Sequence, residues 1–391
     1  MAAGTSLGPM TDRAIPFNRP YEVGSETLMI KEAVANGHLS GHGAFTKRCE
    51  EKLREMTGAK AVLLTPSCSA ALEMAVILAG IGPGDEVIMP SYTFVSTANA
   101  VALRGGVPVF VDIRPETMNI DERLLEQAIT PRTAAIMVAH YGGVAARMTE
   151  VMEIGRSHGI FIIEDAAHCV NTSLNGRELG SFGDLATFSF HETKNVQCGE
   201  GGALVVNNPS LVARAEIVQD KGTNRSRFLR GEVDKYTWVD VGSSYLSSEL
   251  AAAFLLTQLE AVDEITASRL RTWGAYNEKL RGLREQGIRQ PEIPDGCHHN
   301  GHLYYLILPS EQHRESFIGN MTKLGVQTVF HYVPLHESPA GKRLARTSGK
   351  LTVTEDLSRR LVRLPIWAGL TEIETDRIVG AAIDSVADIL D

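Results

Sequence analysis

Phe188-Ser189-Phe190-His191-Glu192-Thr193-Lys194-Asn195, followed by Gly199-Glu200-Gly201-Gly202, is the stretch from which both fold and chemistry can be read. The apolar run Leu185 to Phe190 reads as a buried strand, and the glycines beyond the lysine force a turn. Lys194 therefore stands on irregular backbone at a strand's carboxyl end, where open α/β sheets place their ligands. A lysine partly desolvated there loses pKa and becomes a usable amine nucleophile. A surface lysine in a loop is the plainer reading. Upstream, Phe161-Ile162-Ile163-Glu164-Asp165-Ala166-Ala167-His168 repeats the design: an apolar strand ends on a carboxylate, with a histidine three positions later. Asp165 reads either as the cap of a following helix or as the acid partner of Lys194.

Outward from these segments the chain alternates apolar strands with helical stretches. The strands fall at Ala61–Leu64, Glu86–Met89, Val107–Asp112, Ala134–His140, Ile160–Glu164, Leu185–Phe190 and Ala203–Val206. Seven such strands imply an α/β domain with a mainly parallel sheet buried on both faces. Beyond Val206 the pattern turns mostly helical to about Leu283, with Leu246–Leu259 as a buried helix. Strands at Leu303–Leu308 and Val326–Tyr332, with helices near Gln312–Leu324 and Glu372–Ile389, suggest a small α+β domain. The expected division is a tail over 1–14, a large domain over 15–255 and a small C-terminal domain over 256–391.

Lys+Arg 38 against Asp+Glu 47 gives −9, which argues against a general nucleic-acid or anionic-membrane binder. No apolar run approaches the ~20 residues of a membrane helix. The first fourteen residues lack the basic start and apolar core of a signal peptide. Five cysteines without paired spacing fit a reducing cytoplasm, and no CxxC pattern suggests a metal. No G-x-G-x-x-G follows the first strand, which discounts a nicotinamide dehydrogenase.

Taken together, Ile15-Pro16-Phe17-Asn18, Gly37-His38-Leu39-Ser40-Gly41, Pro66-Ser67-Cys68-Ser69-Ala70, Pro83-Gly84-Asp85-Glu86-Val87-Ile88, Pro90-Ser91-Tyr92-Thr93-Phe94, the two segments above and His331-Tyr332-Val333-Pro334-Leu335-His336 span nearly the whole chain. They resemble the fold-type I pyridoxal-phosphate enzymes, and more narrowly the DegT/StrS family of nucleotide-sugar aminotransferases. The resemblance implies pyridoxal 5′-phosphate, passing through its pyridoxamine form. It makes Lys194 the lysine joined to the cofactor's aldehyde and Asp165 the anion beside the ring nitrogen. By the same resemblance the Cys68 and Ser69 amides, the Ser69 hydroxyl and Ser189 hold the phosphate, at what is otherwise an ordinary capped helix start. Phe94, which alone reads equally as core, takes the position of the ring stacked on the cofactor. His168 stands where the family often has Gln, directed at the cofactor's O3′.

Substrate signals are thinner. Lys221, Asn224 and Arg225, with Arg227 and Arg230, fit a diphosphate grip or a solvated basic loop equally well. His331 and His336 fit a substrate entrance or a structural role. Gly242-Ser243-Ser244-Tyr245-Leu246 is the segment with which the family reaches the neighbouring subunit's cofactor phosphate. The His-Glu-Thr-Lys-Asn form around Lys194 resembles the subgroup that aminates dTDP-4-keto-6-deoxyglucose. The expected reaction moves the amino group of L-glutamate to C-4 of that sugar, in a cytoplasmic homodimer with interfacial active sites. The alternatives are a C-3 or keto-cyclitol aminotransferase and, from another class, a pyridoxal-phosphate-binding sensor without turnover. A dehydratase branch carries His at the lysine position, and Lys194 argues against it.

Overall fold

The computed structural model describes residues 14–390; apart from Ala14, the expected tail lies outside them. Strands are numbered along the chain: β1 (Ala61–Thr65), β2 (Glu86–Pro90), β3 (Val107–Val111), β4 (Thr133–Ala139), β5 (Phe161–Asp165), β6 (Ser173–Leu174), β7 (Arg177–Glu178), β8 (Leu185–Ser189), β9 (Gly202–Val206), β10 (Cys297–His298), β11 (Tyr304–Ile307), β12 (Arg346–Thr347) and β13 (Leu361–Leu364). Among the described residues the main sheet has eight strands, in the order β1-β9-β8-β5-β4-β2-β3-β12. Its neighbours run parallel except at β9, which is antiparallel to both β1 and β8.

All seven expected strands form. They are apolar throughout because both faces are covered. Val87 and Met89 of β2 and Ala135 and Met137 of β4 pack with the helix Cys68–Leu78, while Ile88 and Ile136 pack with Met148 and Val151 of the helix Met148–His158. Each such buried Val, Ile or Leu contributes roughly 1.5–3 kcal/mol. The eighth strand, β12, left no apolar signal. It is an edge dipeptide beside β3, and Arg346 reaches across it to Glu86, whose carboxylate also takes Arg132. These two guanidinium partners hold the Glu86 carboxyl down at about 2.

β5 and β8 are adjacent and parallel, with Asp165 paired to Thr187. Their carboxyl ends therefore deliver Asp165 and the Lys194 turn to the same edge. This adjacency links the two halves of the site, since β6 and β7 intervene in sequence.

A second core gathers Tyr276, Phe317, Met321, Ile378 and Val386 around the antiparallel pair β11 and β13. The expected strand Val326–Tyr332 is not one. It meets β13 at a single bridge, where Val329 and Arg363 exchange backbone hydrogen bonds on the edge away from β11. Ile15 joins this core through a bridge to Val326. The expected helical run also breaks. After the short helix Arg225–Leu229, residues 231–247 form a loop that folds back on Gly222, where a Cβ would stand 1.9 Å from the Asp240 carbonyl oxygen. The helix Glu249–Glu260 follows, capped by Ser248, and the expected 255/256 division falls inside it.

Candidate active site

The carboxyl ends of β5 and β8 open into a cavity of about 820 Å3. Ser67, Cys68, Ser69, Phe94, Asp165, His168, Ser189, Lys194 and His331 all line it. The Ser67 hydroxyl caps the helix Cys68–Leu78 by accepting from Ala70 N (3.1 Å). The first amides of a helix have no intrahelical acceptor, and those of Cys68 and Ser69 find none among the described residues. The Ser69 hydroxyl sits 2.6 Å from that of Ser96. Gly202 on β9 makes this cup possible, because a Cβ there would lie 2.4 Å from Cys68 N. Unpaired amides, a helix N-terminus and the hydroxyls of Ser69 and Ser189 suit a phosphate.

Across the cavity, Asp165 is buried. Its Oδ2 accepts from Thr97 Oγ1 (2.7 Å) and its Oδ1 from Ala167 N (3.3 Å). Thr97, itself 3.0 Å from the Thr93 hydroxyl, thus fixes the carboxylate from the neighbouring helix Val95–Leu103. Lys194 follows a tight turn in which its N–H donates to the His191 carbonyl (2.8 Å). Among the described residues its amine has neither hydrogen bond nor ion pair. Burial lowers its pKa from the ordinary 10.5, opposed by Cys68 and Asp165 and assisted by Arg363. Cys68 is pushed up to about 12 by burial and stays a thiol.

His168 accepts from Gly142 N at Nδ1 (3.2 Å), so the neutral ring carries its proton on Nε2, free to donate. Burial, with Lys194 and Arg363 nearby, holds its pKa well below the ordinary 6.5. Gly143 permits this turn, since a Cβ there would meet Asn300 Oδ1 at 2.4 Å. His302 stacks on His168 at 4.2 Å, and its Nδ1 lies 2.8 Å from Asn195 Oδ1. Asn195 in turn donates to the Asn300 carbonyl (2.9 Å), and Asn300 donates to the His168 carbonyl (2.8 Å). The residue after Lys194 thereby locks the lysine turn to both histidines. Arg269 completes the bracing with bonds to the carbonyls of Gly301 (3.2 Å) and His302 (2.8 Å).

Phe94 is 56% exposed at the cavity mouth, 6.3 Å from the Tyr332 ring. His331 Nδ1 lies 2.8 Å from the Tyr141 hydroxyl. His336 does not line the cavity: it sits 2.7 Å from Ser91 Oγ and 3.3 Å from Glu355 Oε1. Lys221 and Arg225 also lie outside, paired to Asp220 at 3.0 and 3.5 Å, while Asn224 accepts from Thr237 N. Sequence reasoning missed Thr97, Tyr141, Asn195, His302 and Arg363. Of these only Asn195 carried a signal, its place beside the lysine.

One end of the cavity thus suits a phosphate. Beyond it stand a carboxylate fixed by two donors, an unpaired amine of lowered pKa and an aromatic ring left uncovered. This donor set fits pyridoxal phosphate. A model of the DegT/DnrJ/EryC1/StrS aminotransferase family matches residues 20–383. GDP-perosamine synthase from Caulobacter vibrioides is 35% identical over 367 residues, 93% of this chain and 95% of that protein. Among solved structures, the aminotransferase TlmJ from Streptoalloteichus hindustanus superimposes with a TM-score of 0.88 at 29% identity, covering 98% of this chain and 100% of its own. DesV from S. venezuelae, solved in complex with a ketimine intermediate, gives a TM-score of 0.87 at 30% identity, covering 96% of this chain and 98% of its own.

Proposed function

The chain belongs to the DegT/DnrJ/EryC1/StrS aminotransferase family, and from that premise we propose that it moves the amino group of L-glutamate to C-4 of dTDP-4-keto-6-deoxy-D-glucose. The products are a dTDP-4-amino-4,6-dideoxyhexose and 2-oxoglutarate. That it is a sugar aminotransferase using pyridoxal phosphate follows from its family. The sugar and the ring position rest on the His191-Glu192-Thr193-Lys194-Asn195 likeness. One observation carries the chemistry: the Lys194 amine and the Asp165 carboxylate converge on a single cavity.

Bound pyridoxal phosphate supplies the electron sink that makes an amine-bearing carbon acidic. The Cys68 and Ser69 amides, with the Ser69 and Ser189 hydroxyls, would hold its phosphate. Asp165, kept in place by Thr97, would present a fixed negative charge to the ring nitrogen. Lys194 would hold the cofactor through its amine and move a proton at Nζ; its lowered pKa suits that task. His168 would donate from Nε2 to an oxygen of the cofactor, and Phe94 would cover its ring. His331 lines the substrate side.

Residues 15–255 serve in this reading as the cofactor domain and 256–391 as the smaller one. The working unit is a cytoplasmic homodimer. Leu229, Tyr236 and Trp238 support this, lying 65%, 55% and 76% exposed beside Lys221, Asn224 and Arg225. Such an apolar stretch suits a subunit contact, across which the three polar residues would serve the partner's cavity. No helix among the described residues is long and apolar enough to cross a membrane.

The GDP-perosamine synthase relative favours a second reading, a GDP-linked keto sugar. Offering glutamate with dTDP- and GDP-linked 4-keto-6-deoxy sugars in parallel, with NMR of the product, decides between them. A 4-amino sugar from the dTDP substrate is expected. Amination only at C-3, or only of the GDP sugar, overturns the proposal.

A further inference from the structure

His302 and His168 stack in the cavity wall with ring centroids 4.2 Å apart, and the groups around them leave each neutral ring a single tautomer. The Gly142 N–H can only donate, so His168 accepts at Nδ1 and carries its proton on Nε2. The Asn300 carbonyl can only accept, so the amide nitrogen of Asn195 must be the atom that faces it, at 2.9 Å. That turns Asn195 Oδ1 toward His302 Nδ1, 2.8 Å away, and an amide oxygen takes a hydrogen bond but gives none. His302 therefore carries its proton on Nδ1. Its Nε2 is left as a lone pair, and among the described residues nothing donates to it. The stacked rings are thus opposite in sense: one offers a proton, the other a place for one.

Burial, with His168, Lys194, Arg269 and His331 around it, holds the His302 pKa well below the ordinary 6.5, and the ring stays neutral near pH 7. An acceptor in a buried wall costs free energy until a donor reaches it. The amino-acid donor brings carboxylates, which only accept, and an amine that is itself passed on. A sugar brings hydroxyls, neutral groups that donate as well as accept.

We propose that Asn195 is a positioning residue that fixes this tautomer, and that His302 Nε2 accepts a hydrogen bond from a hydroxyl of the keto sugar. The proposal rests on the sugar-aminotransferase reading, and a measurement on the protein without substrate keeps the two separable. In cofactor-loaded enzyme with nitrogen-15 histidine rings, NMR reads the tautomer directly, the His302 signal being the one missing from His302→Leu. The neutral Nδ1–H form is expected throughout the range from about pH 5.5 to 8. An Nε2–H tautomer, or titration at the ordinary value, overturns the assignment.

The two half-reactions are then followed separately by absorbance, with whichever 4-keto-6-deoxy sugar, dTDP- or GDP-linked, the enzyme accepts. His302→Leu keeps bulk and removes the acceptor. Its keto-sugar half-reaction should lose kcat/KM roughly 10–100-fold, as for a buried hydroxyl left without a partner, with His302→Gln intermediate. The glutamate half-reaction should fall far less. An equal loss in both, or no loss, overturns the proposal. Asn195→Asp sets a carboxylate against the Nδ1–H, which favours the charged ring and raises its pKa. Below that pKa Nε2 is protonated and cannot accept, so the keto-sugar half-reaction of this variant should weaken as pH falls and recover as it rises. A loss independent of pH would make Asn195 only a brace for the lysine turn, and its positioning role would be lost. A wild-type enzyme inert to every keto sugar would count against the sugar reading, and the ring signals would still decide the tautomer.

Discussion

The cations of the cavity and those of the loop from Asp220 to Glu232 differ in what they face. Lys221, Arg225, Arg227 and Arg230 each stand within 3.5 Å of a carboxylate of Asp220, Glu216 or Glu232. Lys194 and Arg363 have no such partner among the described residues, although they are far less exposed. In water a charge needs no partner, and exposed pairs contribute about 0–1 kcal/mol. In a cavity a charge without a countercharge needs polar groups around it: Arg269 has the carbonyls of Gly301 and His302, whereas the Lys194 amine has no acceptor among the described residues. Charge density in sequence pointed to the loop; charge without compensation, visible only in space, points to the cavity.

The largest break in this contrast comes from Lys194→Ala. It should abolish the visible absorption of the cofactor-loaded protein and reduce turnover by roughly 10^4-fold, the upper end for a lost proton-transfer group. Full turnover in that variant would remove the lysine from the chemistry. Asp165→Asn keeps shape and loses charge; cofactor should still bind, with single-turnover rates down roughly 10^2–10^3-fold, as for a lost electrostatic stabiliser. A rate equal to wild type would mean that the ring nitrogen needs no anion here. Thr97→Val tests whether that carboxylate must be held. Losing a hydrogen bond to a charged group costs about 1.5–3 kcal/mol, so turnover should fall at least tenfold, with cofactor affinity reduced alongside.

Glu50 sharpens the contrast from the acidic side. Burial raises its carboxyl from the ordinary 4.5 to about 7, although it accepts from Leu64 N (2.9 Å). A carboxyl raised on folding contributes stability that is full below about 4.5 and lost as pH rises through about 7. Glu50→Gln keeps an acceptor and removes the titration. Between pH 5 and 8, denaturant midpoints should therefore move in the variant's favour, by about 1–3 kcal/mol. A difference independent of pH would show that Glu50 is already ionised at pH 5. The smallest effect belongs to the loop. Arg230→Gln breaks its pairs with Glu216 and Glu232, yet stability should change by no more than about 1 kcal/mol and turnover not at all.

Much of the site was legible because its parts sit where strands stop. Asp165 ends β5, Lys194 follows β8, and Ser67-Cys68-Ser69 follows β1 before a helix. An apolar run that ends in a polar residue and a turn is a local signal, and these readings needed no knowledge of neighbours. The strand expected at Val326–Tyr332 failed for the opposite reason. Its residues suit a strand, but the segment touches the second edge of β13 at one bridge only, Val329 with Arg363. His336, drawn from the same motif as His331, bonds Ser91 and Glu355 instead of facing the cavity.

By itself the sequence determined the seven apolar strands, the helix-start cup and the amine and carboxylate at two strand ends, because solvent exclusion and backbone geometry act over a few residues. Tertiary structure alone decided that β5 lies beside β8, that Thr97 holds Asp165, that Asn195 and Asn300 bind the lysine turn to His168 and His302, and that Arg363 arrives uncompensated from a second sheet. Those contacts join residues tens to hundreds of positions apart. No local pattern encodes them, since each depends on which surfaces remain free once the strands have paired.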